Sequence, residues 1–349
     1  MIKKLVNYFF LSKIFINFAS LLLIINNNIK NMKDFNHFGV KRRVFKSHNY
    51  DAIWMNLKTI RLGEGAAAEL PCDKSEFYDV SLGPVCRTGR CKFCYVASNP
   101  NGAFYQDICE TWKKWMATFM EGKSEKTNIT YTEKPFQIAI GSEGEPTEHP
   151  EFCQFLQTVY ETGVVPNYTT NGVILSADND LSKTILEYTA KYVGGVAVSF
   201  GNENLRENAR KAVDKLMQCG DCHINLHHII STKESVDQFV EVWKEYGDNI
   251  KYHVLLPLMP AGRSKTGIED GVFEYLEQKI DEYDIKNVAF GAHFVKYLKN
   301  SSIKTWLYEP ESFSKNVLLK KDNVVITPSS FNINPMKEIH LDNAESQVG

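Results

Sequence analysis

FQIAIGSEGEPTEHPEFCQFLQTVYETGVVPNYTTNG, residues 136–172, holds one complete strand, loop, helix and strand. The apolar run 136–141 meets a loop punctuated by Gly141, Gly144 and Pro146. EFCQFLQTVYETG (151–163) then has the apolar spacing of an amphipathic helix and closes on a glycine, the usual C-terminal signal. PNYTTNG (166–172) begins the next unit.

The unit recurs on both sides. FYDVSL (77–82), GGVAVSF (194–200), HINLHHII (223–230) and KYHVLLPL (251–258) also read as strands. From the run at 136 onward, the strands begin roughly 28 to 30 residues apart, the length of one βαβ unit. LSKTILEYTAKYVGG (181–195), ENARKAVDKLMQCG (207–220) and VDQFVEVWKEYGD (236–248) are the helices between them. The runs are mostly apolar rather than alternating, which predicts strands covered on both faces.

Alternation of this kind predicts an α/β fold with a parallel sheet and helices outside it. Six units suit a partial (β/α)6 TIM-type barrel, with an open doubly wound sheet as the alternative. In either, ligands sit at the carboxyl ends of the strands. The loop CRTGRCKFCYVASNPNG (86–102), the segment GSEGEPTEHP (141–150) and TTNG (169–172) all follow strands, and so share that rim. Beyond residue 260, EDGVFEYLEQKIDEYD (269–284) reads as a helix and NVAFGAHFV (287–295) as a strand. KNVLLKKDNVVITP (315–328) reads as a hairpin turning at Asp322-Asn323. The expected division is an apolar extension over 1–31, a lead-in over 32–75 and the barrel over 76–265. A short α+β extension capping the barrel follows over 266–331, then a mobile tail over 332–349.

Composition is that of an ordinary globular protein of 349 residues, 43% hydrophobic and 23% charged. A net charge of −2 creates no overall field toward nucleic acid or anionic lipid. The compact basic run KRRVFK (41–46) is the one local exception and reads first as a solvated segment. MIKKLVNYFFLSKIFINFASLLLIINNN (1–28) resembles a signal peptide or weak anchor. Lys13 and Asn17 interrupt its apolar stretch, and no small-residue cleavage site follows. Translation from Met32 is the other reading, and membrane contact is expected only if 1–31 is retained. The rest reads as cytoplasmic.

Eight cysteines are unevenly spaced, at 72, 86, 91, 94, 109, 153, 219 and 222. That is too few and too clustered for a disulfide scaffold, so reduced thiols are expected. Cys86, Cys91 and Cys94 stand on one glycine-bearing loop and offer three ligands. A structural zinc site closes all four positions. Cys219 and Cys222 would complete one only across 124 residues of chain, far beyond the usual spacing. A dithiol motif uses two of the three. An iron–sulfur cluster with one iron left open uses them all.

On those residues the chain resembles the radical S-adenosylmethionine (radical SAM) superfamily. The resemblance covers about residues 75–260 and rests on three cysteines with an aromatic, Phe93, just before the last. The spacing here is C-x4-C-x2-C where the family's usual form is C-x3-C-x2-C. IAIGSEGEPTEHPEF (138–152) is similar to the family's glycine-rich strand-two motif, and TTNG to a segment common at its third strand. The resemblance implies that Cys86, Cys91 and Cys94 hold a [4Fe–4S] cluster. It implies that Gly144, Glu145 and Pro146 meet the methionine amino group of SAM, with Thr170 and Asn171 beside them. Phe93 would pack near the adenine, and Ser199 and Asn202 would bond the ribose.

It further implies reductive cleavage of SAM to a 5′-deoxyadenosyl radical that takes hydrogen from a substrate, with a flavodoxin- or ferredoxin-like electron donor. Peptide and nucleic-acid substrates both stay open, without a clear nucleic-acid signature. Of the remaining candidates, His227 and His228 face opposite ways along a strand and do not serve one ion easily. His223, His227 and His228 are therefore not read as a second metal site. Leu258 is placed near adenine, Arg263 reads as an anion anchor, and Cys72, Cys109 and Cys153 as buried free thiols. The rival from another class is a zinc- or thiol-stabilised α/β binding protein that never cleaves SAM.

Overall fold

The computed structural model describes residues 32–37, 40–45, 77–88, 90–119, 121–123, 130–132, 134–135, 137–220, 222–291, 294, 306–307, 314–328 and 335–341. The extension 1–31, most of the lead-in, and Cys72 lie outside the described residues. The basic run falls largely on β2 (Val40–Phe45), which pairs antiparallel with β1 (Met32–His37).

The main sheet opens with β3 (Phe77–Ser81). After it come α1 (Ile108–Ala117), the small antiparallel pair β4 (Glu121–Lys123) and β5 (Thr130–Thr132), and β6 (Gln137–Ile140). The repeating units follow: α2 (Phe152–Glu161), β7 (Val165–Thr170), the short α3 (Val173–Ser176), α4 (Asp180–Tyr192) and β8 (Gly195–Ser199). Then come α5 (Arg206–Gln218), β9 (His223–Ile230), α6 (Lys233–Tyr246), β10 (Tyr252–Pro257), α7 (Val272–Glu282), β11 (Val288–Phe290) and β12 (Trp306–Leu307). From β3 to β12 each main-sheet strand lies parallel beside its predecessor, in a single direction. A doubly wound sheet reverses midway at a switch point; here the direction changes only at β13.

Side chains alternate across this sheet. Val80, Ile138, Ile140, Val198, Leu226 and Ile230 are buried in the cores under the helices. Asp79, Ala139, Asn167, Ala197, Asn225 and His227, one step out of phase, line a cavity. The strands are therefore not covered by helices on both faces, as their apolar content suggests. Small residues such as Ala139, Gly195 and Ala197 leave one face open. The helices are set by ordinary local chemistry: Asn179 caps α4 by accepting from Ser182 N–H, and Thr232 with Ser235 closes a capping box on α6.

The C-terminal residues extend the sheet. β13 (Ser314–Lys320) pairs parallel with β3, and β14 (Asn323–Thr327) returns antiparallel through a turn at Lys321-Asp322, one residue earlier than expected. Asp322 takes φ +50°, a conformation Asp tolerates better than most residues. Within the stretch expected to be a mobile tail, β15 (Lys337–His340) pairs antiparallel with β14. This segment adds an edge beside the first strand of the main sheet. The helix α1, missing from the sequence reading, packs Trp112 and Trp115 fully out of solvent against Tyr78 and Phe155.

Candidate active site

The open face of β3 and β6 to β11 encloses a cavity of about 540 Å³, whose lining runs from Phe77, Gln137 and His223 at the amino ends of the strands to Thr170, Asn171 and Ser199 at the carboxyl ends. Cys86, Cys91, Phe93 and Cys94 border it, as do Gly144, Glu145, Thr170, Asn171, Ser199 and Asn202. Of the residues singled out from the sequence for cofactor or metal, Pro146 and Leu258 do not line it; Pro146 is buried in the turn behind. Leu258 is likewise buried behind the cavity, held by its N–H to Ile230 O at 3.1 Å.

None of the three cysteines is in a disulfide; Cys86 is buried and Cys91 and Cys94 are half-buried. Asn202 Nδ2 donates to Cys91 Sγ at 3.1 Å, and Asn171 Nδ2 lies 3.8 Å from Cys86 Sγ. Ser98 Oγ is 3.8 Å from Cys94 Sγ. Each sulfur thus has a polar partner. Burial pushes the Cys91 thiol up, the Asn202 hydrogen bond opposes this, and Cys94 and Arg263 act in opposite senses. Asn202, expected at the ribose, has its amide on a sulfur.

Glycine at 144 has a reason that sequence alone does not reveal. At φ +72°, a Cβ there would stand 2.4 Å from both Gly83 O and Val85 O. The missing side chain lets the turn lie against the stem of the cysteine loop. Glu145 N donates to Val85 O at 2.7 Å and Gly144 N to Ser98 Oγ at 3.1 Å, stitching turn to loop.

Glu145 itself turns inward. Its Oε1 accepts from Thr147 N (3.3 Å), Thr147 Oγ1 (2.6 Å) and Thr170 Oγ1 (2.8 Å), and its Oε2 from Asn171 N (2.7 Å). Burial raises its pKa while these four donors pull the other way. The carboxylate is thus already engaged, and it ties the turn to the end of β7. Thr170 is consumed by the same network and also accepts from Gly172 N.

Arg263 is another strut rather than an anion anchor. Its Nε donates to Cys91 O at 2.9 Å, its Nη1 to Ser98 O at 2.6 Å, and its backbone N–H to Cys94 O at 2.9 Å. Gly262, at φ +61°, makes this approach possible: a Cβ there would lie 2.3 Å from Tyr95 O. Gly201 plays a milder version of the part, since a Cβ there would meet Ile229 Cγ1 at 2.7 Å and Phe93 Cζ at 3.2 Å. Phe93 therefore packs across the end of β8.

The histidines separate as strand geometry requires. His223 and His227 line the cavity. Burial lowers the pKa of His227 to about 4, so it is a neutral imidazole at pH 7. His228 points into the core beneath α6, where its Nε2 lies 3.2 Å from Nδ1 of the stacked His253.

Cys219 caps α5 and Cys222 precedes β9, at the amino end of the strands. The cysteine loop follows the carboxyl end of β3, on the other rim. Among the described residues, no three His, Cys, Asp or Glu side chains gather around one metal ion. A four-iron cluster asks for something wider, one thiolate on each of several irons. Three thiols on one loop, none in a disulfide and each with a polar partner, beside an open cavity, match that donor set.

No protein-family model and no curated protein matches the chain. Solved structures match by fold. SuiB of Streptococcus suis bound to the precursor peptide SuiA aligns with TM-score 0.54 and 18% identity, over 84% of this chain and 68% of that one. SuiB bound to S-adenosylmethionine aligns with TM-score 0.52 and 16% identity, over 86% and 72%. At these identities the likeness is one of fold, a mixed α/β architecture with a largely parallel sheet. No helix among the described residues is long and apolar enough to cross a membrane.

Proposed function

We propose that the protein is a radical SAM enzyme built on a partial TIM-type barrel. The observation that carries this reading is the convergence of Cys86, Cys91 and Cys94 with the Gly144-Glu145-Pro146 turn and Asn171 around one cavity. The SAM-bound neighbour of the same fold adds support. When bound, a [4Fe–4S] cluster would supply the electron for reductive cleavage of SAM, the source of a 5′-deoxyadenosyl radical able to take hydrogen from a substrate.

The chain's own residues supply position and shelter. Cys86, Cys91 and Cys94 would hold the cluster through three thiolates. Asn171 and Asn202 direct amide N–H groups at the sulfurs, which favours their thiolate form. Glu145 and Arg263 fix the loop from opposite sides, so the ligands do not have to be ordered when the group arrives. Ser142 and Gly144 border the part of the cavity that the amino acid end of SAM would take. Phe93, Ile229 and Leu256 keep water from the reacting end of the cavity. The substrate assigned is a peptide, by analogy with the SuiA complex of the neighbour.

Anaerobic reconstitution with iron and sulfide, followed by a SAM-cleavage assay, tests the reading. About four irons per chain and 5′-deoxyadenosine are expected, both lost in Cys91→Ala. Uptake of one zinc and no iron, dependent on Cys219 and Cys222, would replace the reading with that of a zinc-stabilised binding protein.

A further inference from the structure

Alternate residues of β9 face the cavity, His223, Asn225, His227 and Ile229 running from the amino end of the strand toward the rim. Asn225 and His227 hold the middle of this row, and neither is matched within the protein. Asn225 Oδ1 is shut off from solvent and accepts no hydrogen bond among the described residues. Among the same residues no hydrogen bond reaches the half-buried His227 ring, whose pKa burial alone lowers to about 4. It is a neutral imidazole at pH 7. Across the same cavity Asn167 is different: its Nδ2 donates to Gln137 Oε1 at 3.2 Å and to Ile138 O at 3.0 Å. Strand register puts Ala197 and Tyr252 beside Asn225, and Ser199 and Val254 beside His227. Buried polar groups as a rule find partners, so two unmatched neighbours on one open face call for a ligand that completes them.

We infer that Asn225 and His227 bind a neutral amide of the substrate, supplied by a glutamine or asparagine side chain or by a peptide bond. This rests on the peptide-modifying reading above and names the group the peptide presents. A neutral imidazole offers one donor and one acceptor, and a carboxamide offers both kinds as well. An amide answers both. An ammonium would answer the acceptors alone and leave the donors unmatched. A carboxylate would be buried without a counterion, because Arg263, the cation lining this cavity, is committed to Cys91 O and Ser98 O. The last torsion of an asparagine is soft, so the Asn225 carboxamide can turn its oxygen to meet a ligand N–H. His227 lies two residues, about 7 Å of strand, from Ile229, which shares the rim with Phe93. The amide site therefore sits deeper than the space assigned to SAM.

The test adds N-acetylglutamine N-methylamide as probe to the full chain labelled with nitrogen-15 histidine. The His227 ring signal, assigned by its loss in H227L, should shift as the probe saturates. N225L/H227L should weaken probe binding, read by saturation-transfer NMR, by about tenfold. Its urea midpoint should stay at the wild-type value, since no hydrogen bond inside the protein is lost. H227Q keeps a donor and an acceptor and should bind within about threefold of wild type. Tighter binding of this probe than of its leucine analogue assigns the side-chain amide, and equal binding assigns the peptide bond; either upholds the inference. Equal binding by N225L/H227L and wild type overturns it, as does wild type without saturable binding. Tighter binding of the glutamate analogue or of uridine than of the amide also overturns it. So does a tenfold loss of SAM binding by reconstituted N225L/H227L, which would give the pair to SAM. A wild type that binds the amide but yields no cluster and no 5′-deoxyadenosine would instead refute the enzyme reading and leave the amide site standing.

Discussion

Glu145 Oε2 accepts the backbone N–H of Asn171 at 2.7 Å, so the carboxylate of one rim segment holds the next in place. Asn171 in turn sends its side-chain amide to Thr88 Oγ1 at 2.8 Å and toward Cys86 Sγ. The turn after β6, the end of β7 and the cysteine loop are thus one hydrogen-bonded body.

Breaking that body should register first as instability. Glu145→Gln places an amide N–H2 where Thr147, Thr170 and Asn171 all donate. Unsatisfied buried donors then lower the unfolding free energy by about 2–4 kcal/mol. Urea denaturation of wild type and variant measures it. A change within experimental error would mean the network is dispensable.

Two glycines should behave differently on gaining one methyl group. Gly262→Ala drives a Cβ against Tyr95 O and Cys94 O at a positive φ, so a cost of about 2–5 kcal/mol is expected. Gly271 shares the left-handed conformation, with φ +72°, but has nothing within 4 Å of the added carbon. Gly271→Ala should cost only about 1–2 kcal/mol. Thermal melts of the pair separate crowding from backbone strain.

The buried pair His228 and His253 should make stability depend on acid. Burial lowers both pKa values, that of His253 to about 4, with Arg206 and His227 adding repulsion at His228. The folded chain therefore binds fewer protons than the unfolded one between about pH 6.5 and 4. The contribution is complete above pH 6.5 and is lost as pH falls through that window, by up to roughly 3 kcal/mol for His253. Urea midpoints across the window should fall more steeply for wild type than for H228F/H253F.

Asn202→Ala removes the donor to Cys91 Sγ without touching a ligand. Partners of this kind are worth about 10–100-fold in metal affinity or activity. Iron retained after reconstitution and gel filtration should fall in that range while the unfolding midpoint stays near wild type. Arg263→Gln should act the same way through the loop backbone, with Arg263→Lys restoring part of the iron.

The sequence made the strands legible because each carries a compact apolar run at βαβ spacing. HINLHHII reads as β9 residue for residue. What it hid was the division of faces. Ala139, Ala197 and Gly195 look like ordinary strand residues until the sheet turns them toward one cavity. Gly144 was visible as special, but whether backbone or ligand fills the space at its α-carbon is a long-range matter. The pairing of β13 with β3 joins segments with the whole sheet between them in sequence, and nothing local announces it. The helix α1 had a readable stripe at Ile108, Cys109, Trp112, Trp115 and Met116, set apart from the repeating units that drew the assignment. The three cysteines were legible as a set. Their braces, Glu145 turned inward and Arg263 clasping from the loop after β10, needed the fold.

The central claim is an iron held without a protein thiolate beside the cavity. Electron paramagnetic resonance of the anaerobically reconstituted, reduced protein, recorded with and without SAM, tests it most directly. The account predicts a four-iron signal whose shape changes when SAM is added. A signal indifferent to SAM, or no cluster signal from fully loaded protein, would contradict it.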